Sequence, residues 1–367
     1  MRGVDRAEQL AALAAERDLD MLLVGDLVRP GDSGREAISN LCWLTGFRGT
    51  SGLAIVGTEE RTFVTDFRYV ERARREVSTD FEHVIAEREL IGDAAKRLRG
   101  RVGYDDAHTS VKVLRKLEGL APDGAELVEA GGLVERLRRH KDEAELGAIA
   151  EAARLADDAY EWMLDWGVVG KTEREIMLAA HQRMRELGAS DPSFPAIVAA
   201  GENSALPHHD SSEREVRKDE VLLIDFGAIV DGYCSDCTRT VATGEIGEEA
   251  RGVYELVRSA QETALEAIQA GVAARDADAA ARDPIAAAGH GDHFGHGLGH
   301  GVGLEVHEAP RLARKSDQVL DPGDVVTVEP AVYLAGRFGV RIEDLVAVTE
   351  DGCRNFSGVE KDLRIVG

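Results

Sequence analysis

Lysine is scarce in this chain: it supplies eight of the 44 basic residues, against 68 acids, and the formal net charge is −24. That deficit of positive charge disfavours nonspecific binding to nucleic acid or to acidic membranes, because the long-range field repels phosphates. No run of about eighteen apolar residues occurs, so no membrane-spanning helix is predicted. The first twenty residues, MRGVDRAEQLAALAAERDLD, read as a charged amphipathic helix and not as a signal peptide. A soluble cytoplasmic protein is expected, with neither nucleic acid nor membrane as partner. Cysteines are few, and Cys42, Cys234, Cys237 and Cys353 are expected as reduced thiols. Cys234 and Cys237 lie three apart in a β-rich stretch, where they point to opposite faces and do not converge on a metal. Abundant acid with little lysine suits a protein working in high salt, where screening relieves carboxylate repulsion. High GC coding content would also favour arginine over lysine, but the halophilic reading is preferred.

At 367 residues, 44% of them hydrophobic, the chain can hold two domains with substantial cores. Apolar runs at 21–25, 52–56, 61–66 and 101–106 alternate with amphipathic segments near 5–17, 68–76 and 91–99, the pattern of an α/β domain. Between residues 121 and 141 a doubled glycine and the basic run RLRRHK interrupt the pattern. The boundary is placed there, giving an α/β N-terminal domain (1–135) and a second domain (136–367). The second domain opens with helical periodicity through Leu146, Ile149, Ala153, Ala156, Tyr160 and Met163. A further helix starts at Thr172, with Glu175 completing a capping box. After a loop carrying Pro192, Pro195 and Pro207, two apolar runs flank an Asp-Gly turn in DEVLLIDFGAIVDGYCSDCTRTVA. Helices near 248–270 and 275–288 and a second pair of runs, GDVVTVEPAVYLAGRFGVRIEDLVAV, repeat the order. Two helices and a hairpin, twice over, predict an α+β domain with internal pseudo-twofold symmetry.

The repeat sets carboxylates at matching points. Asp225 ends the run VLLI and Glu329 ends VVTV, while the following strands carry Asp236 and Glu343. A carboxylate ending a buried strand is costly unless paired or coordinated. A turn centred on Val230-Asp231 sets Asp225 opposite Asp236, and one centred on Asp231-Gly232 makes them diagonal neighbours; both registers leave them on one face. Like charges so placed need a cation or a shared proton. Ahead of the second pair lies GHGLGHGVGLEVHE, residues 295–308, with His290 and His293 just upstream. Each glycine costs about 1 kcal/mol in a helix interior, so an extended, irregular segment is expected, open to close approach of backbone or substrate. Four acids and an imidazole fit a dinuclear cage for Mn²⁺, Fe²⁺, Co²⁺ or Zn²⁺. His307-Glu308 does not begin an HExxH motif, because Arg311 stands where the second histidine would be.

The segments DFGAIVDGYCSDCTRT, HGLGHGVGLEVHEAP, TVEPAVY and VRIED, in that order, resemble the pita-bread metallopeptidases, most nearly the proline-specific branch of Xaa-Pro dipeptidases and aminopeptidases P. LCWLTGFRGTSGLAIV and TFVTDFRYVERA are similar to that branch's N-terminal domain. The resemblance implies a pita-bread fold for the second domain and two divalent metal ions held by Asp225, Asp236, His300, Glu329 and Glu343. It implies catalytic or substrate-contacting roles for His208, His296, His307 and Arg341, a proton-transferring role for Glu329, and a substrate-carboxylate contact for Arg311. In that scheme His296 and His307 donate to the developing oxyanion or fix the carbonyl on the proline side. His209, His290 and His293 are read as structural or solvent-exposed. The implied activity is hydrolysis of small peptides with proline in the second position, by a homodimer, with dipeptidase and aminopeptidase both open. A hydrolase of small non-peptide C–N substrates or a non-catalytic peptide-binding relative is the alternative; the complete set of acids and the acidic charge weigh against both.

Overall fold

The computed structural model describes residues 5–25, 27, 39–87 and 89–367. The chain divides into two compact units, Met1–Arg138 and Arg139–Gly367. In the first, strands β1 (Met21–Gly25), β2 (Gly52–Gly57), β3 (Arg61–Thr65), β4 (Glu82–Ile85), β5 (Arg101–Tyr104) and β6 (Glu126–Glu129) form one sheet in the order β4-β3-β2-β1-β5-β6. The four apolar runs of the sequence are β1, β2, β3 and β5. The edge strands β4 and β6 are only half-buried, and their sequences, EHVI and ELVE, carry too little apolar signal to stand out. Helices α1 (Arg6–Ala15), α2 (Ser39–Thr45), α3 (Val70–Glu76), α4 (Leu90–Ala95), α5 (Val111–Leu120) and α6 (Leu133–Arg138) complete the unit. Met21, Leu23, Ile55, Val64 and Val102 of the sheet meet Leu90, Ala94 and Leu117 of α4 and α5 in its core.

The second unit begins with α7 (Glu143–Trp166) and α8 (Glu173–Leu187), each opened by a capping box, Asp142 with Glu145 and Thr172 with Glu175. Short β7 (Asp191–Pro192) and β8 (Ile197–Ala200) follow, then β9 (Val221–Phe226), β10 (Ala228–Val230), β11 (Tyr233–Cys234) and β12 (Cys237–Ala242). The hairpin turns at Asp231 and Gly232, with φ of 51° and 88°, the left-handed pair that a tight hairpin requires. Of the two registers open in the sequence this is the second: Asp225 faces Thr238, and Asp236 is its diagonal neighbour. β8 pairs with the other edge of β9, Ile197 against Asp225, so Asp225 stands in a central strand.

The order then recurs. Helices α9 (Glu248–Ala267) and α10 (Ala274–Ile285) precede β13 (Gly299–Gly301), β14 (Glu308–Leu312), β15 (Val325–Val328), β16 (Ala331–Leu334), β17 (Phe338–Arg341), β18 (Asp344–Thr349) and β19 (Gly352–Asn355). Val328 pairs with Asp344, and Ala331 with Arg341; carrying that register across the gap sets Glu329 opposite Glu343. Residues of α7 and α8 bury against β8, β9 and β12, where Tyr160 stacks on Phe226 at 4.9 Å, and residues of α9 and α10 bury against β15, β16, β17 and β18. Cys234 packs with Ile149 and Val302 while Cys237 joins the cluster around Tyr160, so the two thiols do diverge. Among the described residues no helix is long and apolar enough to cross a membrane.

Candidate metal site

A cavity of about 630 Å³ in the second unit is lined by His208, Asp225, Asp236, His296, His300, His307, Arg311, Glu329, Arg341 and Glu343. All ten residues expected at a site from the sequence therefore face one space. β9 and β12 supply Asp225 and, one residue before β12, Asp236; the ends of β15 and β17 supply Glu329 and Arg341, with Glu343 leading into β18. His300 is the middle residue of β13. Its Nδ1 donates to the carbonyl of Gly301 at 3.1 Å, which turns Nε2 toward the acids. Nε2 lies 3.3 Å from Glu329 Oε1 and 3.7 Å from Asp236 Oδ2. Donor atoms of Asp236, His300 and Glu343 all fall within 4.8 Å of one another.

The alternate glycines have a steric reason. A Cβ on Gly299 would stand 1.9 Å from the carbonyl oxygen of Thr327, and one on Gly301 2.2 Å from that of Ala309. Backbone on both sides of His300 is thus in contact with its neighbours, and only glycine lets β13 sit deeply enough to present the imidazole. Gly299→Ala is expected to destabilise the protein by about 1–3 kcal/mol through overpacking against backbone that cannot give way. Chemical denaturation measures this; a midpoint equal to that of the wild type would show that β13 is free to shift.

Burial raises all four carboxylates, and their neighbours then drive the pKa values apart. Desolvation, with repulsion from Glu343 and Asp225, raises Asp236 well above the carboxylate range, and desolvation with repulsion from Glu329 and Asp225 does the same for Glu343. Asp225 is raised by burial too, although Arg341 opposes this by donating from Nη2 to Oδ2 at 2.6 Å. The other oxygen, Oδ1, is buried with no hydrogen-bond partner. Burial acts upward on Glu329 as well, but the hydrogen bond and charge of His300, with His296 and Arg341, outweigh it and hold the group at about 2. Two hydroxyls brace the cage: Thr238 donates to Glu343 Oε2 at 2.6 Å and Thr327 to Glu329 Oε1 at 3.0 Å.

The histidines separate by what their ring nitrogens already do. His296 Nδ1 faces the carbonyl of Gly297 at 2.7 Å and must carry the proton; Nε2 then accepts from the Tyr333 hydroxyl at 3.1 Å. Arg341 Nη1 donates to the same Tyr333 oxygen at 2.7 Å. Desolvation lowers the His296 pKa, which keeps this neutral tautomer. Contrary to the sequence expectation, His296 therefore has no nitrogen left to offer an oxyanion. His307 has no such partner among the described residues; its ring lies 4.4 Å from that of His300, and desolvation with the charge of His300 brings it down to about 4. The loop before it is anchored by Glu308, which accepts from Lys141 Nζ at 3.2 Å and from the backbone N–H of Glu305 at 3.1 Å. His209 bonds Glu173 at 2.8 Å and has a structural role, while His290 and His293 lie outside the cavity in helical turns, their Nδ1 atoms 3.2 Å apart.

Sequence reasoning missed Tyr333, Thr238 and Thr327, and an apolar wall of Phe194, Pro195, Ile197 and Val306. Tyr333 stood in the quoted TVEPAVY, but its role depends on two residues that only the fold brings to it. A second group with metal-binding potential, Asp105, His108 and Glu135, is half-buried in the first unit. Asn40 donates across it to Glu135 Oε1 at 2.6 Å, and Asp105 accepts or shares a proton with His108 at 2.8 Å, so its donors are already engaged with protein.

Against known proteins, the pattern described as Metallopeptidase family M24 matches residues 147–350, and the Creatinase/Prolidase N-terminal domain matches residues 6–140. The chain belongs to metallopeptidase family M24. An M24 relative from Pyrococcus furiosus, a Xaa-Pro dipeptidase, is 31% identical over 98% of this chain and 99% of its own. A solved Xaa-Pro dipeptidase from Bacillus anthracis superposes with a TM-score of 0.93 at 36% identity, covering 99% of both chains. A solved X-Pro aminopeptidase from Thermotoga maritima gives 0.90 at 33% identity, covering 99% of this chain and 100% of that one. The M24 match supports the metallopeptidase assignment and the pita-bread fold of the second unit.

Proposed function

We propose that this M24 protein hydrolyses Xaa-Pro bonds in short peptides, using two divalent ions held by Asp225, Asp236, His300, Glu329 and Glu343. The cage carries the reading: Asp236, His300 and Glu343 converge within 4.8 Å, Asp225 Oδ1 is buried without a partner, and burial with mutual repulsion raises the pKa values of three acids. Such a donor set, rich in oxygen with one nitrogen, suits manganese, cobalt, zinc or iron. The ions, when bound, polarise the scissile carbonyl and make water acidic enough to attack at neutral pH. Glu329, which lines the cavity beside His300, is the proposed proton carrier as well as a ligand. His307 and His208, with free ring nitrogens among the described residues, meet the substrate, and the neutral His307 donates to the carbonyl oxygen as it gains charge. His296 acts through Tyr333 to hold Arg341 against Asp225. Phe194, Pro195, Ile197 and Val306 form the apolar surface for the proline ring, and Arg311 takes the free carboxylate. The names of the relatives as Xaa-Pro peptidases support the specificity.

The test is a panel of Ala-Pro, Ala-Pro-Ala and Ala-Ala with metal-free protein given Mn²⁺, Co²⁺ or Zn²⁺. Cleavage confined to the proline peptides is expected, and Ala-Ala cleaved as fast as Ala-Pro overturns the reading. A cytoplasmic homodimer adapted to salt completes it. With a net charge of −24, stability should rise from dilute buffer to molar salt. Thermal unfolding across that range checks this, and greatest stability in dilute buffer removes the halophilic part.

The raised carboxylates also set a pH dependence. Asp225, Asp236 and Glu343 have folded pKa values above their unfolded ones. Their favourable contribution is therefore fully present below about pH 4 and is lost as pH rises through the raised folded values. Bound cations remove that loss. Mn²⁺ is expected to raise the melting temperature of metal-free protein more at pH 7 than at pH 5, and an equal rise at both would contradict the cage electrostatics.

A further inference from the structure

Beside the active-site cavity lies a second one of about 450 Å³, and the two share His296, Gly297 and Ala313 as a common wall. At Gly297 that wall is backbone alone: a Cβ there would come 2.6 Å from the carbonyl oxygen of Leu312 and 3.1 Å from the Ala313 Cβ, so only glycine packs against this segment. The floor is rigid. Buried Arg282 is neutralised by Asp278 through bonds of 2.7 and 2.8 Å, donates to the carbonyls of Phe294 and His296 at 2.7 and 2.6 Å, and stacks over the Phe294 ring at 4.0 Å. With its charge and donors used within the protein, Arg282 supports the cavity and does not serve as its anion receptor.

The free charge is on the rim. Arg314 and Lys315 line this cavity, are exposed, and have no carboxylate partner among the described residues. Asp292 is the one carboxylate in the lining, so the cavity is net positive on a chain whose net charge is −24. A locally positive concavity in an anionic surface concentrates anions that the rest of the molecule repels. Arg311, three residues before Arg314 on the same segment, lines the active-site cavity. An extended peptide advances about 3.5 Å per residue. Ala313, two residues after Arg311, lines both cavities, so the segment that carries Arg311 runs from the active-site cavity along the wall of the second to Arg314 and Lys315.

The geometry points to a second carboxylate subsite: the Arg314–Lys315 cavity receives the free C-terminus of Xaa-Pro-Yaa tripeptides, as Arg311 receives that of Xaa-Pro dipeptides. This rests on the Xaa-Pro reading of the active site. It makes one enzyme both dipeptidase and aminopeptidase, with tandem cations sensing chain length.

The test compares kcat/KM for Ala-Pro, Ala-Pro-Ala and Ala-Pro-Ala-amide in metal-loaded wild type and in the double variant Arg314→Gln/Lys315→Gln. Exposed charge pairs contribute modestly, so the amide is expected to be roughly three- to tenfold poorer than the free tripeptide in the wild type. The double variant should lower the ratio of Ala-Pro-Ala to Ala-Pro by the same factor and cleave acid and amide alike. Equal rates for acid and amide in the wild type, or a double variant that slows Ala-Pro as much as Ala-Pro-Ala, overturns the subsite while leaving the Xaa-Pro reading intact. Failure of the wild type to cleave any of the three overturns both.

Discussion

Asp236→Asn is expected to lose hydrolysis of Ala-Pro by more than about a hundredfold and to bind fewer metal ions than the wild type. Loss of a group that merely supports a metal ligand already costs tenfold to a hundredfold, and Asp236 is proposed as a ligand itself. Its carboxylate is buried beside Glu343 and Asp225, with donor atoms in reach of His300. Asparagine keeps the shape but offers a neutral oxygen, so it attracts a cation far less. The same change removes a repelling charge from the metal-free protein. Metal-free Asp236→Asn should therefore be at least as stable as metal-free wild type, which separates loss of chemistry from loss of fold. Full activity at saturating metal would refute the assignment of Asp236.

His307→Ala should retain the wild-type metal content while kcat/KM for Ala-Pro falls. The His307 ring lies 4.4 Å from that of His300, the proposed ligand, and is proposed to meet the substrate and not the metal. Its low pKa keeps it neutral at pH 7, so it brings a proton to the carbonyl without adding charge to the cage. Removing one oriented donor costs about 2.7–4 kcal/mol, or roughly a hundred- to thousandfold in rate. Metal analysis and kinetics on one preparation decide the matter. Metal lost in step with activity would make His307 a ligand, and retention of both would leave it as scaffold.

These expectations rest unevenly on sequence and fold. The acids were legible because an apolar run ending in carboxylate is conspicuous, and the run occurs twice, at Asp225 and Glu329. The pairing of Asp225 was legible only to within one residue. Both candidate turns contain Asp231, and the left-handed φ of Gly232 together with that of Asp231 is what fixes Thr238 opposite Asp225. β8 escaped notice because IVAA is four residues long and sits between Pro195 and a glycine turn, yet it makes β9 a central strand. The glycine-rich stretch was rightly read as non-helical near His300, but its strand is confined to Gly299–Gly301 and to Glu308, where β14 begins, while His290 and His293 upstream lie in helical turns. The division of labour between His296 and His307 was hidden altogether. It depends on Tyr333, 37 residues from His296 and eight from Arg341, and no local pattern encodes that meeting.

The most direct measurement titrates metal-free protein with Mn²⁺, counting bound ions while following Ala-Pro hydrolysis. Two ions are predicted to bind, with hydrolysis absent beforehand, appearing as they bind, and abolished again by chelation. Undiminished hydrolysis in the chelated protein, or no ion bound in the wild type, would contradict the account.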